Sequence, residues 1–120
     1  MQWKKSLMAR QIEVTPDLVF EQMANYFIPG KARNTNATIA FVLTGDHPGK
    51  WYCKIVDGKA EVGKGEVKNP KLTLQADSRD YVNIALGLMN PRSAFMSGKL
   101  KIKGDIGLAL KVNGMFKRPS

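Results

Sequence analysis

Cysteine and histidine occur once each in these 120 residues, acidic side chains are outnumbered nineteen to ten by Lys and Arg, and no long apolar run is present. Each scarcity excludes something. A lone Cys53 cannot form an intramolecular disulfide and removes zinc sites built from several cysteines, so a reducing compartment fits. Cys53 falls between Tyr52 and Lys54 in an alternating segment, the setting of a buried structural thiol more than of a nucleophile. The lone His47 lies in the turn Gly45-Asp-His-Pro-Gly-Lys50, where the sequence places no carboxylate to orient it, which leaves a triad or acid–base pair with little support. No segment has the apolar length needed to cross a bilayer. The stretch Met1 to Arg10 is too interrupted for a secretory signal, and Lys117-Arg-Pro-Ser120 is not a peroxisomal address. The expectation is a cytoplasmic protein.

What is present is an ordinary globular composition, 43% hydrophobic and 24% charged, sufficient at this length for one domain around one core. The formal net charge of +9 favours encounters with an anionic partner. Nucleic acid is set aside because neither a reader motif nor an evident aromatic platform accompanies the charge. Anionic lipid headgroups remain.

The hydrophobic spacing sets out an alternation of elements. Thr15-Pro16 caps and opens a helix whose Leu18, Val19, Met23, Tyr26 and Phe27 share a side, with Phe20 near its edge, until Pro29-Gly30 stops it. From Thr38 the period changes to two: Ile39, Phe41 and Leu43 mark one buried face of a strand. Trp51 to Val56 forms a second strand, and Asp57-Gly58 is a two-residue hairpin signal leading to a third over Lys59 to Gly63. Lys71 to Ala76 supplies a fourth. Asp77 or Ser78 then caps a helix with Tyr81, Ile84, Ala85 and Leu88 on its buried side, and Asn90-Pro91 opens a short helix carrying Ala94, Phe95 and Met96. A fifth strand places Leu100 and Ile102 inward and Lys99, Lys101 and Lys103 outward. Asp105 starts a last helix with Ile106, Ala109, Leu110 and Val112, its end fraying at Gly114. The order defines an α+β domain, one sheet covered by helices.

Chemistry-bearing motifs are weak. Gly45 to Lys50 has the wrong spacing for a phosphate loop and joins two strands, and Gly63-Lys-Gly65 lacks the third glycine of a dinucleotide fingerprint. Asp46, Asp57, Asp77, Asp80 and Asp105 all fall in turns or at helix starts, where capping accounts for them without a metal. No catalytic residue, metal or cofactor is expected.

One segment is specific. Asn90-Pro-Arg-Ser-Ala-Phe-Met-Ser-Gly-Lys-Leu-Lys-Ile-Lys-Gly-Asp-Ile-Gly-Leu-Ala-Leu-Lys111 closely resembles the hallmark stretch of the sterol carrier protein 2 domain. Ala37-Thr-Ile-Ala-Phe-Val-Leu-Thr-Gly45, Gly49-Lys-Trp-Tyr52, Asp57-Gly58 and Pro70-Lys-Leu-Thr-Leu74 resemble that family's strands in the family's order. The likeness runs from about Thr15 to Phe116, which makes residues 1–14 an N-terminal extension and 15–120 the domain. It implies a five-stranded mixed, mostly antiparallel sheet with helices on one face and an apolar tunnel between the layers. It also implies a non-catalytic carrier of fatty acid, fatty acyl-CoA, phospholipid or sterol. Without a peroxisomal tail or an attached enzyme domain, the sequence is more similar to a stand-alone bacterial or archaeal member.

The family's tunnel is defined by apolar character, so the resemblance implies as ligand-binding candidates Phe20, Met23, Phe27, Phe41, Leu74, Tyr81, Ile84, Leu88, Phe95, Met96, Ile102, Ile106 and Leu110. For any one of them taken singly, plain core packing is the more usual role than ligand contact. Met89, Met96 and Met115 suit a site that accepts varied apolar chains. The basic row of Lys99, Lys101 and Lys103, extended by Lys54, Lys59, Lys64, Lys68 and Lys71, fits transient contact with an anionic membrane. A solvated face that keeps the protein soluble fits it as well. The second function in view is a ligand-free interaction or dimerisation module, accessory to a lipid- or quinone-handling enzyme. The sequence leaves the oligomeric state open, a homodimer included.

Overall fold

The computed structural model describes residues 14–32 and 35–116. The expected extension over 1–14 lies outside them except for Val14, which packs against the core. Five strands form one sheet in the order β3-β2-β1-β4-β5: β1 Ala37–Thr44, β2 Gly49–Val56, β3 Lys59–Lys64, β4 Leu72–Asp77 and β5 Leu100–Gly104. All neighbours are antiparallel except β1 and β4, which run parallel. The hairpin between β2 and β3 turns on Asp57 (φ 51°) and Gly58 (φ 75°), the double positive φ that makes Asp-Gly the favoured pair there. Asn36 Oδ1 accepts from the Asp57 amide at 3.1 Å.

Strand alternation puts the apolar side chains on one face. One row crosses the sheet as Trp51, Phe41, Leu74 and Ile102, and the next as Val62, Cys53, Ile39 and Leu72. The opposite face carries Thr38, Tyr52, Lys54, Thr73, Gln75, Lys101 and Lys103, in register with one another. At the junction of β5 with the last helix, Gly104 has φ +100°, and a Cβ there would come within 2.5 Å of the Lys71 carbonyl oxygen. Only glycine fits both the left-handed backbone and that close approach.

Four α-helices are present among the described residues: α1 Pro16–Met23, α2 Ser78–Ala85, α3 Pro91–Met96 and α4 Ile106–Met115. Each has a side-chain cap. Thr15 accepts from the Leu18 amide, Asp77 from Arg79, Asn90 from Arg92 and Ser93, and Asp105 from Leu108. These caps satisfy amides that a helix start leaves without partners.

Three details differ from the spacing argument. The first helix loosens into a 3₁₀ turn at Ala24–Tyr26, and Phe27 is extended, forming an antiparallel bridge with Phe116. The helix α2 ends at Ala85, and Gly87 at φ +76° turns the chain, so Leu88 leaves the helical face it was counted on. In α4 the helix continues through Gly114 to Met115. Its buried line is Leu108, Val112 and Met115, and Ile106 is turned outward.

Candidate functional site

The site begins with aromatic plates. Phe20 of α1 stacks between Trp51 of β2 (4.8 Å, 10°) and Tyr81 of α2 (5.1 Å, 7°). Phe41 of β1 meets both Phe20 (5.0 Å) and Tyr81 (5.7 Å) edge-on, the geometries that ring quadrupoles favour. Lys64 closes the far end of the stack, its Nζ 5.1 Å from the Trp51 ring centroid and donating to Asp17 of α1 at 3.2 Å. This cluster fills the space over β1 and β2 and holds α1 and α2 off the sheet.

Beyond it, over β4 and β5, the helices touch the sheet but leave space against part of it. A cavity of about 410 Å³ lies there. Its sheet side is Phe41, Leu74, Leu100 and Ile102. Its helical side comes from Val19, Gln22 and Met23 of α1, Tyr26, Tyr81, Ile84 and Ala85 near or on α2's side of the roof, Pro91, Arg92, Phe95 and Met96 of α3, and Ala109, Leu110, Val112 and Phe116 at the C-terminal end. Ala85 and Ala109 are small where larger side chains would fill the gap. The polar side chains of the lining are Gln22, Arg92 and the two tyrosines. Among the described residues, no carboxylate makes a salt bridge with Arg92; Asp17, Asp46 and Glu66 pair with Lys64, Arg79 and Lys50.

Nine of the thirteen candidates line this cavity: Met23, Phe41, Leu74, Tyr81, Ile84, Phe95, Met96, Ile102 and Leu110. Phe20 is one shell away, sealed inside the ring stack. Phe27 packs its ring on Phe116 at 5.4 Å, and it is Phe116 that reaches the wall. Leu88 and Ile106 face outward for the reasons given above. The candidates leave out ten lining residues: spacing places Val19, Tyr26, Ala85, Leu100, Ala109 and Val112 on buried faces without telling wall from core, and Gln22, Pro91, Arg92 and Phe116 belong to no apolar face that it marks.

The lining side chains differ in exposure, which locates the mouth. Met96 is 83% exposed, Leu110 63% and Phe95 43%, and Leu88 (61%) and Ile106 (56%) are open to solvent nearby in the chain. The deep end, at Phe41 and Tyr81, is buried. Burial pushes the Tyr81 phenol well above its usual range, with a smaller contribution from Cys53. Burial likewise pushes the Cys53 thiol up to about 12. Both hold their protons at neutral pH, so neither is primed as a nucleophile or base. His47 lies in the β1–β2 turn, its amide donating to Ser78 Oγ at 3.1 Å, and is not among the lining residues. The described residues contain no group of three His, Cys, Asp or Glu side chains able to hold a metal, and no helix among them is long and apolar enough to cross a membrane.

A mixed five-stranded sheet roofed by helices over an apolar hollow defines a lipid-binding class of domain, and comparison with known proteins places the chain within it. The model of the SCP-2 sterol transfer family matches residues 21–117, and the chain belongs to that family. It is 44% identical over 81 residues to hydroxysteroid dehydrogenase-like protein 2 of Xenopus tropicalis, covering 67% of this chain and 19% of that protein. The chain thus spans about a fifth of the length of such curated relatives. Among solved structures, the palmitated sterol carrier protein 2 like 2 of Aedes aegypti superposes with a TM-score of 0.69 at 16% identity, covering 89% of this chain and 99% of that one. The sec-alkylsulfatase Pisa1 of Pseudomonas sp. contains a similar fold, with a TM-score of 0.77 at 20% identity, over 89% of this chain and 17% of the sulfatase.

Proposed function

We propose that the protein is a non-catalytic carrier that holds one acyl chain in the cavity, with the polar end of the lipid at the mouth beside Arg92. The observation that carries this reading is the apolar hollow of about 410 Å³, within the roughly 300–1,000 Å³ typical of small-molecule sites. An apolar hollow in that range suits an acyl chain, so a fatty acid or its acyl-CoA is the ligand class favoured. The palmitate-bearing Aedes relative supports the same class. Arg92 favours an anionic end, carboxylate or phosphate, since its guanidinium has no carboxylate partner among the described residues. A ligand-free interaction module would have no use for the hollow.

Organic extraction of freshly purified protein followed by mass spectrometry, together with titration by a fluorescent fatty acid, tests this. One chain per protein, displaced by palmitate, is expected. Arg92→Gln should weaken fatty-acid binding about two- to fivefold, as a partly exposed ion pair warrants, and leave the matching fatty alcohol unaffected. Absence of saturable binding by any lipid would overturn the reading.

A further inference from the structure

The row of side chains across the floor changes in kind at its middle. Trp51, Phe41, Leu74 and Ile102 stand in register on four neighbouring strands, two aromatic and then two aliphatic. Phe41, Leu74 and Ile102 line the cavity and Trp51 does not, so the hollow begins where the rings end. Above the aromatic half, Phe20 lies between the Trp51 and Tyr81 rings in near-parallel contact, and none of the four rings is more than 7% exposed. The far end of this column is backed. Trp51 lies across Gly49, where a Cβ would come within 2.6 Å of its ring, and Lys64, held by Asp17, stands over the same indole.

The two ends of the cavity therefore differ in how far they can yield. Met96 and Leu110 at the mouth are 83% and 63% exposed, and exposed side chains change rotamer freely. Packed rings move only together, because an interior as dense as a crystal leaves no room for one of them to step aside. We propose that the ring column is a stop that sets the longest chain the carrier accepts in full. The methyl end of the chain meets Phe41 and Tyr81, and Phe20, which lines nothing, positions both rings. The inference rests on the carrier reading and adds to it the property by which cargo is chosen. Each methylene taken out of water strengthens binding about fourfold. Once the methyl end is against the rings, further methylenes stay in water at the mouth and add nothing.

Displacement of a fluorescent fatty acid by straight saturated acids from octanoic to docosanoic tests it on the full chain, with urea midpoints to show that each variant is folded. Affinity should climb with length and then level. Phe41→Leu should move the levelling to longer acids, and the next acid past the parent's limit should gain about fourfold in the variant relative to the acid at that limit, the effect of one more buried methylene. Phe20→Leu should move it the same way, although Phe20 lies outside the cavity wall. Leu74→Phe carries the aromatic half one strand further, about 4.8 Å, and should move the levelling to shorter acids. Leu110→Ala at the mouth should weaken every acid by a similar factor and leave the levelling in place. General loss of stability cannot move the limit in opposite directions. Levelling at the same acid in the parent, Phe41→Leu and Leu74→Phe alike, or affinity that rises through docosanoic acid, overturns the stop and leaves the carrier reading standing. Saturable binding by none of the acids overturns the carrier reading itself, and the stop with it.

Discussion

Cys53 faces Ile39 on β1 and Val62 on β3, and with no water to solvate a thiolate its pKa is pushed from 9.0 up to about 12. The consequence is alkaline lability. Above 9.0 the unfolded chain releases a proton that the folded chain keeps until about pH 12. The unfolded state therefore binds fewer protons, and stability falls as pH rises through that window, by up to about 1.4 kcal/mol per unit for each such group. Tyr81, also raised by burial, acts in the same direction above its ordinary value of 10.0. Urea midpoints should be level with respect to these groups below pH 9.0 and decline beyond it. Cys53→Ala, though less stable throughout, should show a shallower decline; an unchanged slope would remove Cys53 from the explanation.

Among the helices, α3 is the most dependent on the residue that caps it. It has six residues, too few to persist alone, and Asn90 Oδ1 accepts from both the Arg92 amide at 2.8 Å and the Ser93 amide at 3.3 Å. Asn90→Ala should cost about 1 kcal/mol in chemical denaturation and also weaken fatty-acid binding, because Pro91, Arg92, Phe95 and Met96 of the cavity wall move with that helix. Asn90→Ser, which can still cap, should restore most of both. This cap was legible in the Asn90-Pro91 dipeptide, as were the five strands in their period of two and the hairpin in Asp57-Gly58. The wall was legible where an element has one apolar face, as in β1, β4 and α2 up to Ala85. It was not legible in α4, which is apolar almost all round, so that only packing against the sheet selects Leu108, Val112 and Met115 as the buried line. Nor could spacing show that Gly87 would take Leu88 off its helix, or that Phe27 would pair with Phe116 across most of the chain's length.

For the molecule as a whole, the cavity belongs to no single unit. Its floor is a row of Phe41, Leu74 and Ile102, which come together only when β4 has docked in parallel on β1 and β5 has closed the edge. A fragment such as the β1–β2–β3 meander has no floor and no roof, so lipid recognises only the finished fold. A bound fatty acid at a hundredfold excess over Kd should therefore add about 2.7 kcal/mol and raise the midpoint of one cooperative transition by several degrees. A calorimetric trace in which lipid left part of the melting unmoved would show the cavity to be separable from the rest.

That floor has a consequence for the protein's fate in a cell. The time a chain spends open to proteases depends on its stability, and on the carrier reading proposed above a filled hollow adds to that stability. Cargo and carrier would then be tied in lifetime: where lipid is scarce the empty molecules would be cleared first, and the number of carriers would follow the amount there is to carry.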